Sequence, residues 1–173
     1  NPGSIHPSPR SRFIRSGAII KVMPIFDTIL KPTLLLNEPV ARHNLHLMVS
    51  RAREANVSFR PHFKTHQSLE IGEWFRAEGV TAITVSSVDM AEYFASGGWT
   101  DILLAFPVNL RQLPELAAIP AGVRLNLVVE SPAVVAAAKE KFPDFSADIW
   151  IKVDVGAGRT GLGWQDVNAV ADV

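Results

Sequence analysis

The sequence contains no cysteine. That excludes disulfides, thiolate metal sites and cysteine nucleophiles, and it leaves the redox compartment open. It also carries no net charge: 17 Lys and Arg balance 17 Asp and Glu. Nothing global therefore draws the chain to nucleic acid or to an anionic membrane surface. No apolar run approaches the roughly 20 residues that a membrane-spanning helix needs. We expect a cytoplasmic protein with neither a nucleic acid nor a membrane as partner.

With 47% apolar and 20% charged residues, the composition is that of an ordinary globular protein. Its 173 residues suffice for one domain with a sizeable core. Residues 1–22 are rich in Pro, Ser, Gly and Arg and show no periodicity. The chain starts at Asn1, and patterned sequence begins just after Met23. We read 1–22 as a disordered or non-native leader and 23–173 as the domain.

From residue 33 onward two patterns alternate. Short β-rich runs are expected at 33–36, 57–64, 81–86, 101–106, 123–130 and 149–155. Between them, helical spacing covers 39–54, 68–78, 87–96, 110–118 and 132–142, and a last helix starts near 164–166. Ser87 before one helix and Ser131-Pro132 before another are start signals, and Gly79 and Gly97-Gly98 are stops. A βαβ alternation at this spacing specifies a parallel sheet with crossover helices.

Strand parity then chooses between architectures. Strands of an open doubly wound sheet are apolar on both faces. Here Val123, Leu125, Leu127 and Val129 oppose Arg124, Asn126 and Glu130. Ile149, Ile151, Val153 and Val155 oppose Lys152 and Asp154. A recurring polar face suits a barrel lumen leading to a site. We expect an α/β fold of the (β/α)8 TIM-barrel type, present only in part, with about five strands.

The chemistry-bearing segment is Arg60-Pro-His-Phe-Lys-Thr-His66. If 57–64 is a strand, Arg60, His62, Lys64 and His66 share its interior face. Buried cations persist where an anion binds or where lysine is deprotonated for covalent work. Desolvation beside other cations lowers a lysine pKa, as a Schiff-base lysine requires. A solvated edge strand is the plainer alternative, and Pro61 would suit it. Further on, Gly156-Ala-Gly158-Arg-Thr-Gly161 matches the Gly-x-Gly-x-x-Gly dinucleotide fingerprint. The polar Lys152 and Asp154 before it argue for a plain strand-to-helix turn instead. His43 and His46, spaced i, i+3 without a carboxylate, read as helix surface. The four tryptophans read as packing, and Ser86 and Ser87 stand where barrel sites form.

The segment Arg60–His66 resembles the cofactor-lysine motif of the D-threonine aldolase and D-serine dehydratase-like family. These are fold-type III pyridoxal-phosphate enzymes related to the alanine racemase N-terminal domain. Lys31-Pro-Thr-Leu-Leu-Leu-Asn37 and Lys152-Val-Asp-Val-Gly-Ala-Gly-Arg-Thr-Gly161 extend the resemblance, which covers residues 24–173. It implies that Lys64 is catalytic and carries pyridoxal 5'-phosphate, and that His62 and Arg159 line the cofactor site. Gln67 stands where the family usually has lysine. The resemblance also implies a lyase for small D-β-hydroxy-amino acids, dimeric at full length. That lyase would use Mn or Zn, held by a C-terminal β-domain absent here together with the later barrel strands. The chain alone is then expected to be inactive. A pyridoxal-phosphate homeostasis barrel, an amino-acid racemase and a dinucleotide-dependent oxidoreductase are the alternatives.

Overall fold

A computed structural model describes residues 25–141 and 143–173. The leader assigned to 1–22 lies outside them. Residues 37–173 form one compact unit, and the described residues before it belong to another. In that earlier stretch a single 3-10 turn, Ile25–Thr28, is followed by extended chain. The strand expected at 33–36 does not form. A strand exists only as part of a ladder, and the one hydrogen bond printed for this segment is local, from the Thr33 hydroxyl to the Lys31 carbonyl.

In the larger unit each helix starts where its cap dictates. Helix α1 (Glu38–Glu54) opens at Asn37, whose side chain accepts the Val40 N–H. It buries Leu45 and Val49, one turn apart on the same face. Ser68 caps α2 (Leu69–Ala77) and Ser87 caps α3 (Val88–Ser96) in the same way. Both helices end at glycines in the left-handed region, Gly79 and Gly98. A 3-10 turn, Leu110–Gln112, leads into α4 (Leu113–Ala117). Helix α5 is Pro132–Lys141, and α6 is Val167–Ala171, capped by Asp166. No helix among the described residues is long and apolar enough to cross a membrane.

Four strands form one parallel sheet in sequence order: β1 (Ile83–Val85), β2 (Asp101–Pro107), β3 (Arg124–Val129) and β4 (Asp148–Ile151). The register defines two faces. Ile83, Ile102 and Leu125 make one row, and Val85, Leu104 and Leu127 another. These residues are buried against Val88, Ala91 and Phe94 of α3 and Leu113 and Leu116 of α4. Thr84, Leu103, Asn126 and Asp148 form the row between them and face the opposite way. The parity expected from sequence therefore holds in β3 and β4. The polar face is the concave, lumenal side of a barrel arc.

Two irregularities shape the lumenal mouth. Strand β2 slips register between Leu104 and Pro107, a bulge that turns Ala105 and Phe106 out of the ladder. The expected strand 149–155 breaks at Lys152, and its continuation β5 (Val153–Asp154) pairs in parallel with β6 (Leu162–Gly163).

The expected strand 57–64 is largely absent. Only His62 bridges to Thr84, next to a hydrogen bond from the Thr84 N–H to the Pro61 carbonyl (2.8 Å). Pro61 has no N–H to give a ladder. Immediately afterwards the chain turns into a 3-10 helix, Phe63–Thr65, whose cap is the His62 side chain. The period-2 alternation ends there.

Candidate active site

At the C-terminal ends of the strands lies a cleft of about 320 Å³. It is lined by His62, Lys64, Ser86, Ala105–Pro107, Lys152–Val155, Ala157, Arg159 and Thr160. In a β/α barrel this end carries the chemistry, and the volume lies in the range of small-molecule sites. Lys64, His62 and Arg159, nearly 100 residues apart in sequence, are thus brought to one cleft.

Lys64 is presented by its neighbours. Phe63 is completely buried, its ring 5.0 to 5.1 Å from those of Phe75, Phe94 and Trp99. With Phe63 anchored in the core, the next residue of the turn faces out, and Lys64 is exposed at the cleft. Its N–H is accepted by His62 Nδ1 at 3.3 Å, and its carbonyl accepts from Gln67 Nε2 at 3.3 Å. Gln67 adopts a positive φ of 47° to do so. Burial pushes the His62 imidazole below its ordinary pKa and nearby Lys64 pushes the same way, while the Thr84 backbone opposes both. A neutral His62 leaves Nδ1 free to accept the Lys64 N–H.

Two members of the segment are not where parity put them. Arg60 sits at the opposite end of the lumen, donating to Asp101 Oδ1 (2.8 Å) and the Ile83 carbonyl (3.2 Å). Asn126, 1% exposed, donates to the same Asp101 oxygen and accepts from Trp150 Nε1 at 3.0 Å. Arg60 therefore compensates Asp101 in a polar floor, away from the mouth. His66 turns toward the core between Phe63 and Phe75, its Nδ1 accepting the Ser68 N–H at 3.1 Å. Burial lowers its pKa. The 3-10 turn explains both corrections, because it rotates everything after His62 out of the strand's alternation. The expectation of a desolvated lysine is likewise not met, since Lys64 is exposed.

The glycine loop is not a dinucleotide loop. Such loops offer free N–H groups to phosphates. Here Asp154 takes them: Oδ1 accepts from Gly156 (2.9 Å) and Ala157 (2.8 Å), and Oδ2 from Gly158 (2.9 Å). The Gly156 N–H is the largest influence holding the Asp154 carboxyl below its ordinary range. No helix starts within the loop, and α6 begins only at Val167. The sequence reading grouped Asp154 with the lumenal polar residues and missed this clamp; an aspartate two residues before Gly-x-Gly was the available signal. Lys152, a second lysine in the cleft, was also not singled out as a site residue.

The residues fit the carbonyl and ring end of pyridoxal phosphate. Lys64 offers an amine, His62 an uncharged ring and Arg159 donors for an oxyanion. The glycine loop offers nothing to the phosphate. Among the described residues no three His, Asp or Glu converge as a metal set.

A β/α arc with a lysine at its mouth defines a class, and sequence comparison identifies it. Residues 38–173 match the alanine racemase N-terminal domain, and the chain belongs to that family, which is pyridoxal-phosphate-dependent. Within it, the chain is 32% identical over 148 residues to D-threo-3-hydroxyaspartate dehydratase of Delftia sp. (strain HT23), covering 81% of this chain and 38% of that protein. It is 27% identical over 153 residues to D-serine dehydratase of Schizosaccharomyces pombe (strain 972 / ATCC 24843), covering 82% and 37%. The solved Delftia dehydratase superposes with a TM-score of 0.77 at 30% identity, covering 82% of this chain and 38% of that one. D-threonine aldolase from Filomicrobium marinum gives 0.71 at 25% identity, covering 76% and 37%. The chain thus spans less than two fifths of the length of these relatives. One solved form of the Delftia dehydratase is a mutant in the metal-free form.

Proposed function

We propose that this chain is the cofactor-lysine part of a pyridoxal-phosphate-dependent lyase acting on small D-β-hydroxy-amino acids, of the D-threonine aldolase or D-serine dehydratase type. One observation carries the reading. Lys64 stands on a capped, core-anchored turn and lines one cleft with His62 and Arg159. The names of the related dehydratases and aldolase supply the substrate class.

When bound, the cofactor supplies an electron sink for charge developing at the substrate α-carbon. The residues of this chain hold and orient. Lys64 Nζ is the amine that would bind the cofactor carbonyl and exchange that bond with a substrate amine. His62, kept neutral, packs beside it without adding a second positive charge. Arg159 would donate to the ring oxyanion and fix the ring's tilt. Ser86 lines the cleft with a hydroxyl. A divalent metal, Mn or Zn, and a homodimeric assembly belong to the same proposal for the full-length enzyme. This chain's described residues provide no ligand set to name for that metal.

The test combines cofactor absorbance with product assays. The protein should bind pyridoxal phosphate with a shifted absorption band that Lys64→Ala abolishes. It should release acetaldehyde from D-threonine or ammonia from D-serine when full length. Binding without either product supports a non-catalytic barrel instead, and D/L interconversion of alanine supports a racemase. A wild-type protein that binds no cofactor contradicts the proposal.

A further inference from the structure

Arg159 is exposed, and its side chain makes no hydrogen bond or ion pair among the described residues. Its place in the cleft is therefore set by the backbone that carries it. That backbone is tied on both sides by carboxylates. On the near side Asp154 accepts the N–H groups of Gly156, Ala157 and Gly158. On the far side the Gly161 N–H donates to Glu130 Oε2 at 2.7 Å. Glu130 follows directly on β3, whose last residue, Val129, is buried. The loop is thus fastened to the neighbouring strand of the sheet as well as to its own stem.

The glycines show that this conformation is demanded. Gly156, Gly158 and Gly161 all have φ between 66° and 122°, a region that side chains disfavour. At Gly161 a Cβ would stand 2.9 Å from the Lys152 carbonyl oxygen. The Leu162 N–H donates to that same oxygen at 2.9 Å. Three converging N–H groups would form an anion-binding nest. Asp154 fills this one from within the chain, so the loop is rigid before any ligand arrives.

From this we infer that Glu130 and Asp154 are positioning residues that fix Arg159 against the cofactor and so set how tightly the cleft holds it. The inference rests on the pyridoxal-phosphate reading above. Preorganising a donor lowers the ordering cost of binding. Glu130 acts across strands, through the single Gly161 N–H, so it is the cleaner of the two to perturb.

The experiment is a double-mutant cycle read by spectrophotometric pyridoxal-phosphate titration. It uses the wild-type protein, Glu130→Ala, Arg159→Ala and the double variant. Loss of the tether should weaken binding roughly tenfold, the equivalent of about 1.4 kcal/mol. In the Arg159→Ala background the same change should cost less than about twofold, because residues acting through one another are non-additive. Glu130→Gln, whose amide oxygen can still accept the Gly161 N–H, should stay near wild type. Hydrogen exchange without cofactor should quicken at the Gly161 amide in Glu130→Ala, and at residues 156–158 in Asp154→Ala. Equal losses in both backgrounds, or no loss in Glu130→Ala, overturn the inference while leaving the cofactor reading intact. A wild-type protein that binds no cofactor removes both.

Discussion

Replacing Phe63 by alanine removes the ring that anchors the Lys64 turn. The site is fully buried, and four aromatic rings surround it: His66 at 4.5 Å, Phe75 and Phe94 at 5.0 Å, and Trp99 at 5.1 Å. The cavity cannot collapse easily. Gly72 lies against the Phe63 and Trp99 rings so closely that a Cβ there would be 3.3 Å from each, so one wall is helix backbone. Phe→Ala in a core costs about 3–5 kcal/mol, and a rigid wall places this site near 4. For a chain of this size that is a fall in Tm of roughly 8–16 °C. Phe63→Leu keeps most of the volume and should cost only about 1–2 kcal/mol. Thermal and urea melts followed by circular dichroism measure both. The amides of residues 62–66 should also lose hydrogen-exchange protection, because the turn hangs on this ring. A loss in Phe63→Ala below about 1 kcal/mol would refute the reasoning, since no buried phenylalanine in a rigid cage is removed so cheaply.

Two further outcomes follow from the floor and from the buried histidine. Asn126→Ala leaves Trp150 Nε1 without its acceptor and Asp101 without one donor, and should cost about 1–3 kcal/mol. Cofactor affinity of the folded variant should not change, because the floor is at the other end of the strands; a large affinity loss in a titration would contradict this placement. For His66, burial lowers the folded-state pKa, so the unfolded chain binds its proton first as pH falls. Its contribution is therefore unpenalised above about pH 6.5 and is eroded as pH falls from there toward the depressed value, with His62 acting in the same direction. Urea midpoints compared at pH 8 and pH 5 should drop in the wild type and drop less in His66→Gln; an equal drop would exclude His66 as a source.

Much of the fold was legible because the strands after residue 80 obey period 2 and their helices carry caps. Ser87, Ser68 and the Gly79 and Gly98 stops placed helix ends within a residue or two. The faces of β3 were readable because Leu125, Leu127 and Val129 alternate with Arg124 and Asn126. The failures concentrate where local geometry interrupts a period. Pro61 withholds a ladder N–H, and the His62 side chain caps a 3-10 turn, so a segment that reads as a strand is mostly not one. Arg60, Lys64 and His66 were consequently grouped on one face, whereas they serve the floor, the cleft and the core. The membership of His62, Lys64 and Arg159 in one cleft came from motif resemblance and survives the loss of that strand. The Asp154 clamp was invisible to spacing rules, because a carboxylate within a glycine motif can serve either a ligand or its own backbone.

Two lysines, Lys64 and Lys152, line the cleft, and only one should carry the cofactor. Borohydride reduction of the protein with pyridoxal phosphate, followed by peptide mass spectrometry, distinguishes them. The account predicts a phosphopyridoxyl group on the peptide containing Lys64 and its loss in Lys64→Ala. A group on Lys152 with Lys64 unmodified, or no stable adduct at all, would contradict it.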